Sequence, residues 1–349
     1  MDEFFVSAIS YDDTKRMEAW ERFLRREGIS RDRHLDHTIG LFDREHNLVA
    51  TGSCFANTLR CLAVGREHRG EGLLAKVVSH LLAHLASKGI SHVFLYTRHD
   101  NAEFFRGLGF SEIDASTHEV VFMENRRDGF SSYLAELTRH RREGSVAAVV
   151  MNCNPFTLGH RKLIGTAARQ NSFLFVFVVS EDVSFFPYHD RLALIASDIA
   201  DMGVNNAELH PTGSYIISNA VFPSYFTADD ESTIRAQARL DVGIFKKIAA
   251  SLGVTGRYAG TEPSSRVTGI YNEVMRNELP ASGIEFIEIP RAEIDGEPIS
   301  ASRVRELIKS GDLDAVRKLV PKCTYNYLVS DAGREVAKKI REAASVKHY

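Results

Sequence analysis

Thr157, Gly159 and His160 stand where an apolar run, Val146 to Val150, passes through Asn154-Pro155-Phe156 into a helical pattern of Leu163, Ile164, Ala167 and Ala168. The run is short and β-branched, as a buried strand is, and Asn-Pro is a turn signal that ends it. The helix start then carries a hydroxyl and an imidazole three residues apart on one face, beside unpaired N–H groups and the positive end of the helix dipole. Such a turn takes an anion, and Gly159 removes the side chain that would keep a nucleotide off the backbone. Roughly 140 residues later comes a second site of the same kind, Ile299-Ser300-Ala301-Ser302-Arg303-Val304-Arg305. Ser300 reads as an N-cap, Ser302 lies in the first turn, and Val304, Leu307 and Ile308 supply a buried face. Arg305, one turn on, could grip phosphate oxygens through several donors at once. Asp190-Arg191 opens another helix and, taken alone, reads as an exposed capping pair. The loop Gly260-Thr261-Glu262 follows a strand over 254–259, where backbone groups could read a nucleotide base.

The elements that must position these residues fall into two groups. A chain of 349 residues is too long for one ordinary core. In the first 125 residues a charged amphipathic helix at Thr14–Glu27 precedes strands at Thr38–Phe42, Leu48–Phe55 and Thr58–Val64. Arg69-Gly70-Glu71-Gly72 then opens a helix striped by Leu73, Leu74, Val77, Val78, Leu81, Leu82 and Leu85, and strands follow at His92–Thr97 and Val120–Met123 around a short helix at Asn101–Gly107. That is an α+β pattern. Residues 126–144 are charged and read as a linker helix. Beyond them, strands near 146–151, 172–179, 254–259 and 284–289 alternate with helices, which argues for a parallel sheet with ligands beyond the carboxyl ends of its strands. Residues 331–349 read as a C-terminal helix.

Composition narrows the function. A net charge of −3 and a pI near 6.5 give no basic field for nucleic acid. No run approaches the ~18 apolar residues of a membrane span, and Cys54, Cys61, Cys153 and Cys323 have no paired spacing, so the expectation is a cytoplasmic chain with reduced thiols. His80 and His84, one turn apart, lack a third metal ligand, and no metal-binding side chains are expected. Cys153 reads as a small apolar filler.

Asn154 to His160 followed by Ile299 to Arg305 resembles the nucleotidyltransferase superfamily of (Thr/His)-x-Gly-His and Ile-Ser-x-Ser/Thr-x-x-Arg/Lys, a Rossmann-like (HUP-type) fold. Many relatives carry Gly where this chain has Met151, so the turn is expected to rest on Asn152 and Asn154, which tolerate unusual backbone angles. Leu62-Ala63-Val64 leading to Arg69-Gly70-Glu71-Gly72, with Asn101 to Phe110, resembles the GNAT acetyltransferases. Glu67, where that family usually has Gln or Arg, would repel a pyrophosphate, and Phe105, where a Tyr commonly serves as acid, cannot donate a proton.

The two modules together, with Met151-Asn152-Cys153-Asn154-Pro155-Phe156-Thr157-Leu158-Gly159-His160, resemble the citrate lyase ligase family. The resemblance implies an α/β chain with a GNAT-like domain at 1–125 and a nucleotidyltransferase domain at 145–330. It implies ATP and Mg²⁺ as cofactors, acetate as substrate and the acyl carrier protein subunit of citrate lyase as partner, through acetyl adenylate. His160 and Thr157 would hold the α-phosphate, with Ser300, Ser302 and Arg305 on the β- and γ-phosphates. Asn154, Phe156, Gly159, Arg191, Gly260, Glu262 and Ile299 would complete the nucleotide site. The alternatives are an adenylyltransferase for a phosphopantetheine- or nicotinamide-nucleotide-like metabolite, or an N-acetyltransferase with a nucleotide-sensing second domain. The loop Ser214–Asp230, with Tyr215, Phe222, Tyr225 and Phe226, is expected to act as a lid or carrier-docking surface.

Overall fold

The computed structural model describes residues 4–32, 34–117, 120–180, 184–216, 231–262 and 265–346. They form two compact units. One runs up to Ser132 and takes in a helical stretch ending at Gly243; the other begins at Tyr133 and resumes at Ile244.

In the first unit the elements are β1 (Phe5–Ala8), α1 (Thr14–Arg26), β2 (His37–Phe42), β3 (Leu48–Phe55), β4 (Thr58–Val64), α2 (Leu73–Ser87), β5 (Phe94–Thr97), α3 (His99–Gly107), β6 (Ser111–Asp114) and β7 (Val121–Glu124). They build a mixed sheet of order β1-β2-β3-β4-β5-β7-β6. Every pairing is antiparallel except β4 with β5, which is parallel and held only at Thr58–Phe94 and Leu59–Leu95. Strand alternation decides which helix covers which face. Leu62 and Val64 pack with Leu73, Val77, Val78, Leu81 and Leu85 of α2, whereas Ala63 packs with Met17, Trp20, Phe23 and Leu24 of α1. Gly52 on β3 lets α2 come close, since a Cβ there would stand 2.5 Å from Val77 Cγ1. Phe105 is buried in the core, edge-on to Phe110, and Glu67 Oε1 lies 3.4 Å from Arg26 Nη2.

α4 (Gly129–Thr138) runs from the first unit into the second. The second unit continues with β8 (Val146–Met151), α5 (Leu158–Gln170), β9 (Phe173–Val178), α6 (Tyr188–Asp201) and β10 (Ala207–Pro211). α7 (Glu231–Leu252) enters it at Ile244, and β11 (Gly256–Gly260), α8 (Arg266–Glu278), β12 (Glu285–Ile289), the short pair β13 (Glu293–Ile294) and β14 (Glu297–Pro298), α9 (Ala301–Ser310), α10 (Leu313–Leu319), α11 (Lys322–Val329) and α12 (Asp331–Glu342) follow. The sheet is wholly parallel, in the order β10-β9-β8-β11-β12. β8 is its centre: the chain goes from β8 to β9 on one side and later returns to β11 on the other. The carboxyl end of β8 is therefore the switch point, where the flanking connections part and leave a crevice for a ligand. Val146, Ala147, Ala148 and Val149 are fully buried, as a central strand covered on both faces requires. β10 was not apparent in the sequence. It is an edge strand whose Glu208, His210 and Pro211 break the apolar pattern.

Candidate active site

Between β8 and α5 the chain turns through Asn152–Phe156, and the residue that takes the left-handed conformation is Cys153, with φ 55°. This corrects the expectation that Asn152 and Asn154 carry the unusual backbone angles. Those two asparagines tie the turn down instead. Asn152 Nδ2 donates to Ser184 Oγ at 3.1 Å, and Asn154 Oδ1 accepts from the Phe186 N–H at 3.2 Å. The Asn154–Pro155 peptide is cis. Cys153 is buried, and burial pushes its thiol well above the usual range. It fills space and offers no thiolate.

Thr157 is the N-cap of α5, and with His160 it closes a reciprocal cap. The His160 N–H points to Thr157 Oγ1 at 3.5 Å, and the Thr157 N–H donates to His160 Nδ1 at 3.0 Å; the Thr157 hydroxyl lies 2.9 Å from that same nitrogen. Because Nδ1 accepts, the ring proton sits on Nε2, leaving one directed donor. Burial, reinforced by the positive charge of Arg291, pushes the His160 pKa down to about 4, so the ring is neutral at pH 7. Phe156, fully buried, stacks beneath it with ring centroids 5.8 Å apart.

α9 brings the second motif to this turn. Ser300 is its N-cap and accepts from the Arg303 N–H at 3.1 Å. A Cβ built on Gly159 would lie 3.5 Å from Ile299 O and 3.5 Å from Thr157 Oγ1, so the starts of α5 and α9 meet across the glycine. Two helix N-termini, two capping hydroxyls and one imidazole N–H thus converge at the switch point, an arrangement that favours a polyphosphate. No carboxylate in hydrogen-bond contact with His160 competes for that donor among the described residues.

The two arginines expected on phosphate lie elsewhere. Arg191 is fully buried, and its Nε donates to Phe186 O at 3.0 Å while Nη1 reaches Asn152 O and Oδ1, each at 2.7 Å, and Val179 O at 2.8 Å. Arg305, 3 % exposed, donates to the Asn154 carbonyl, to Val346 O at 2.7 Å and to Ser302 Oγ at 3.0 Å. Desolvation lowers its pKa to about 10, which still leaves it charged. Both guanidiniums hold the backbone of the turn, and Ser302 is turned to Arg305. At the end of β11, Gly260 is open on its Cα side and its carbonyl accepts from Asn272 Nδ2 at 3.0 Å. Glu262 pairs with Arg291 and accepts from the Ser265 N–H at 3.1 Å. Arg291 and Lys162 were not singled out from the sequence. Arg291 follows β12 by two residues and donates to Thr261 O at 2.8 Å, and Lys162 Nζ donates to Pro290 O at 3.0 Å. For Arg291, a basic residue two past the carboxyl end of β12, that position was the available signal. Of the expected lid, Tyr215 is buried and stacks on Tyr133 at 4.8 Å; Phe222, Tyr225 and Phe226 lie outside the described residues.

A mixed sheet of acetyltransferase type, followed by a parallel sheet whose switch point carries Thr-x-Gly-His and Ile-Ser-x-Ser at two helix starts, defines an enzyme class: a GNAT module joined to a nucleotidyltransferase-type domain. Family models agree, with the Acetyltransferase (GNAT) family matching residues 5–110 and the Citrate lyase ligase C-terminal domain matching residues 146–328. The chain is 39 % identical over 329 residues to the [Citrate [pro-3S]-lyase] ligase of Klebsiella pneumoniae, covering 93 % of this chain and 95 % of the relative. It is 38 % identical over 330 residues to the protein of the same name from Escherichia coli (strain K12), with 92 % of each covered. The chain belongs to the citrate lyase ligase family. No helix among the described residues is long and apolar enough to cross a membrane.

Proposed function

We propose that this chain is an ATP-dependent acid–thiol ligase of the cytoplasm that activates acetate and acetylates the prosthetic-group thiol on the acyl carrier protein of citrate lyase. In the first step an acetate oxygen attacks the α-phosphorus, the bond to the β-phosphate bridge breaks, and pyrophosphate leaves with acetyl adenylate formed. In the second the carrier thiolate attacks the acetyl carbon and AMP leaves. Acetate is already an anion, so the first step needs no general base. Positioning and neutralisation of charge remain, and the observation that carries the reading is the neutral, capped His160 with its Nε2–H free to donate between two helix starts.

His160 and Thr157 face the α-phosphate in this reading, with Ser300 and the backbone around Gly159 on the β- and γ-phosphates. Arg191 and Arg305 act through the turn they hold and are positioning residues. Mg²⁺, if bound with the nucleotide, would supply charge neutralisation on the polyphosphate with few protein ligands needed, which suits the few carboxylates near this turn. Gly260, Glu262 and Arg291 line the carboxyl end of the sheet where a base would sit. The first unit, with Phe105 in its core and Glu67 in its turn, serves as a scaffold or a thioester-recognition surface. The test is acetate-dependent exchange of labelled pyrophosphate into ATP, followed by acetylation of the carrier. Exchange that requires a phosphorylated metabolite and ignores acetate would replace this reading with a metabolite adenylyltransferase.

A further inference from the structure

Away from the phosphate turn, a second set of chemistry-bearing side chains meets at the edge of the parallel sheet. Glu208 and His210 are two residues apart on β10 and so share one face of the strand. His140, just past α4, lies against them. Its Nδ1 is 2.5 Å from Glu208 Oε1, and His210 Nε2 is 2.9 Å from the same oxygen. All three ligand atoms lie within 4.8 Å of one another. His210 is 7 % exposed and packed by the rings of Phe175 and Phe177, with centroids at 5.3 and 5.8 Å. Its Nε2 is off the line that a hydrogen bond to Glu208 needs, so it is a buried ring nitrogen without a hydrogen-bond partner. Such an atom carries a desolvation cost that a bound cation would offset.

We propose that His140, Glu208 and His210 form a three-ligand site for a divalent transition-metal ion, with zinc the ion the donors suit best. Two imidazoles and one carboxylate are a borderline-soft set that disfavours Mg²⁺ and Ca²⁺, which take oxygen. Around a tetrahedral zinc with bonds of about 2.0–2.1 Å, ligand atoms sit roughly 3.3 Å apart. The two separations here fall short of that by less than ~1 Å, so small side-chain rotations admit the ion. His140 is the most open of the three, 42 % exposed at the side chain, and leaves the fourth position to water. Arg142 donates to Glu208 Oε2 at 3.2 Å, which opposes the cation yet orients the carboxylate with Oε1 toward the histidines. The site ties the segment between α4 and β8 to edge strand β10, two strands away from the phosphate turn. Its role is structural, fastening an edge that has only one strand partner.

The experiment uses the full chain, freed of any affinity tag and stripped with a chelator. Zn²⁺ is titrated calorimetrically, Co²⁺ by visible absorption, and thermal midpoints are recorded with and without Zn²⁺. The expected result is one equivalent bound, the intense visible bands of four-coordinate Co²⁺, and a raised midpoint that follows from binding to the native state alone. His140→Ala and His210→Ala should weaken Zn²⁺ binding on the order of 100-fold or more, with pyrophosphate exchange unchanged. Glu208→Gln keeps the size of the side chain and its bond from Arg142, so it tests the site even where a histidine variant folds poorly. Absence of stoichiometric binding to the wild-type chain, or Glu208→Gln binding Zn²⁺ as tightly as wild type, would overturn the proposal.

Discussion

Gly159→Ala separates the chemistry of the turn from its stability. Gly159 is the second residue of α5 and has no positive φ, so alanine can adopt its backbone. The added Cβ would lie 3.5 Å from Ile299 O, 3.5 Å from Thr157 Oγ1 and 3.9 Å from Ile299 Cβ, all ordinary van der Waals contacts. Nothing in the protein has to move. In a helix interior alanine is favoured over glycine by about 1 kcal/mol, and by less in a first turn, so the variant should be as stable as wild type or slightly more so. The methyl group does fill the seam between the starts of α5 and α9, where the proposed reading brings a phosphate to the backbone. A displacement of about 1 Å at a reacting centre costs on the order of 10²-fold in rate. Acetate-dependent pyrophosphate exchange at saturating ATP should therefore fall by that order while the thermal midpoint holds or rises. Wild-type exchange in a fully folded Gly159→Ala protein would refute the placement of the phosphates. A midpoint lowered by several degrees would refute the packing argument.

Replacing His160 by Ala removes one directed donor and should slow exchange by on the order of 10²–10³, measured against Thr157→Ser, which keeps the cap. The pH dependence of stability follows from the same ring. Its pKa is about 4 in the folded chain against 6.5 unfolded, so between those values the unfolded state holds more protons and stability falls as pH falls. The loss should reach about 3 kcal/mol at most near pH 4, and His160→Asn, compared by urea unfolding at pH 7 and pH 4.5, should show a shallower decline; parallel curves would contradict it. Arg191→Met leaves the Phe186, Asn152 and Val179 carbonyls without their guanidinium donor, while Asn152 Oδ1 keeps Ser184 Oγ. At about 1–3 kcal/mol for each buried orphan, and less than additively, the unfolding free energy should drop by ~4 kcal/mol or more; a drop under ~1 kcal/mol would show that the clamp does not hold the turn. Cys153→Ala should leave exchange within about two-fold and abolish no activity, since burial keeps the thiol protonated; loss of exchange with the fold intact would give that thiol a role.

What could be read from the sequence was what is local. The cap of α5 is written in residues three apart, and so is the cap of α9, so Thr157, His160 and Ser300 were legible with their roles as helix starts. β8 was legible because a central parallel strand is apolar on both faces. The direction of a guanidinium is a different matter. Arg191 and Arg305 look like phosphate ligands because each stands at or near a helix start, yet carbonyls from Asn152, Val179, Phe186, Asn154 and Val346, far apart in the chain, claim their donors. Only tertiary structure sets that competition. The left-handed residue escaped for a similar reason: Asn tolerates that conformation best in isolation, but here both asparagine side chains are needed as tethers and the bend falls to Cys153. β10 escaped because an edge strand can hold Glu, His and Pro without an alternating pattern.

The bond from Arg305 to Val346 couples the segment after α12 to the turn between β8 and α5. One guanidinium grasps the Asn154 carbonyl of the turn and the carbonyl of Val346, the last described residue, and Lys309 Nζ holds the Ala343 carbonyl beside it at 2.5 Å. A protease nick or a bulky fusion upstream of Val346 would thus be felt at the turn between β8 and α5 before it was felt in the hydrophobic core. The segment after α12 works as a latch on that turn.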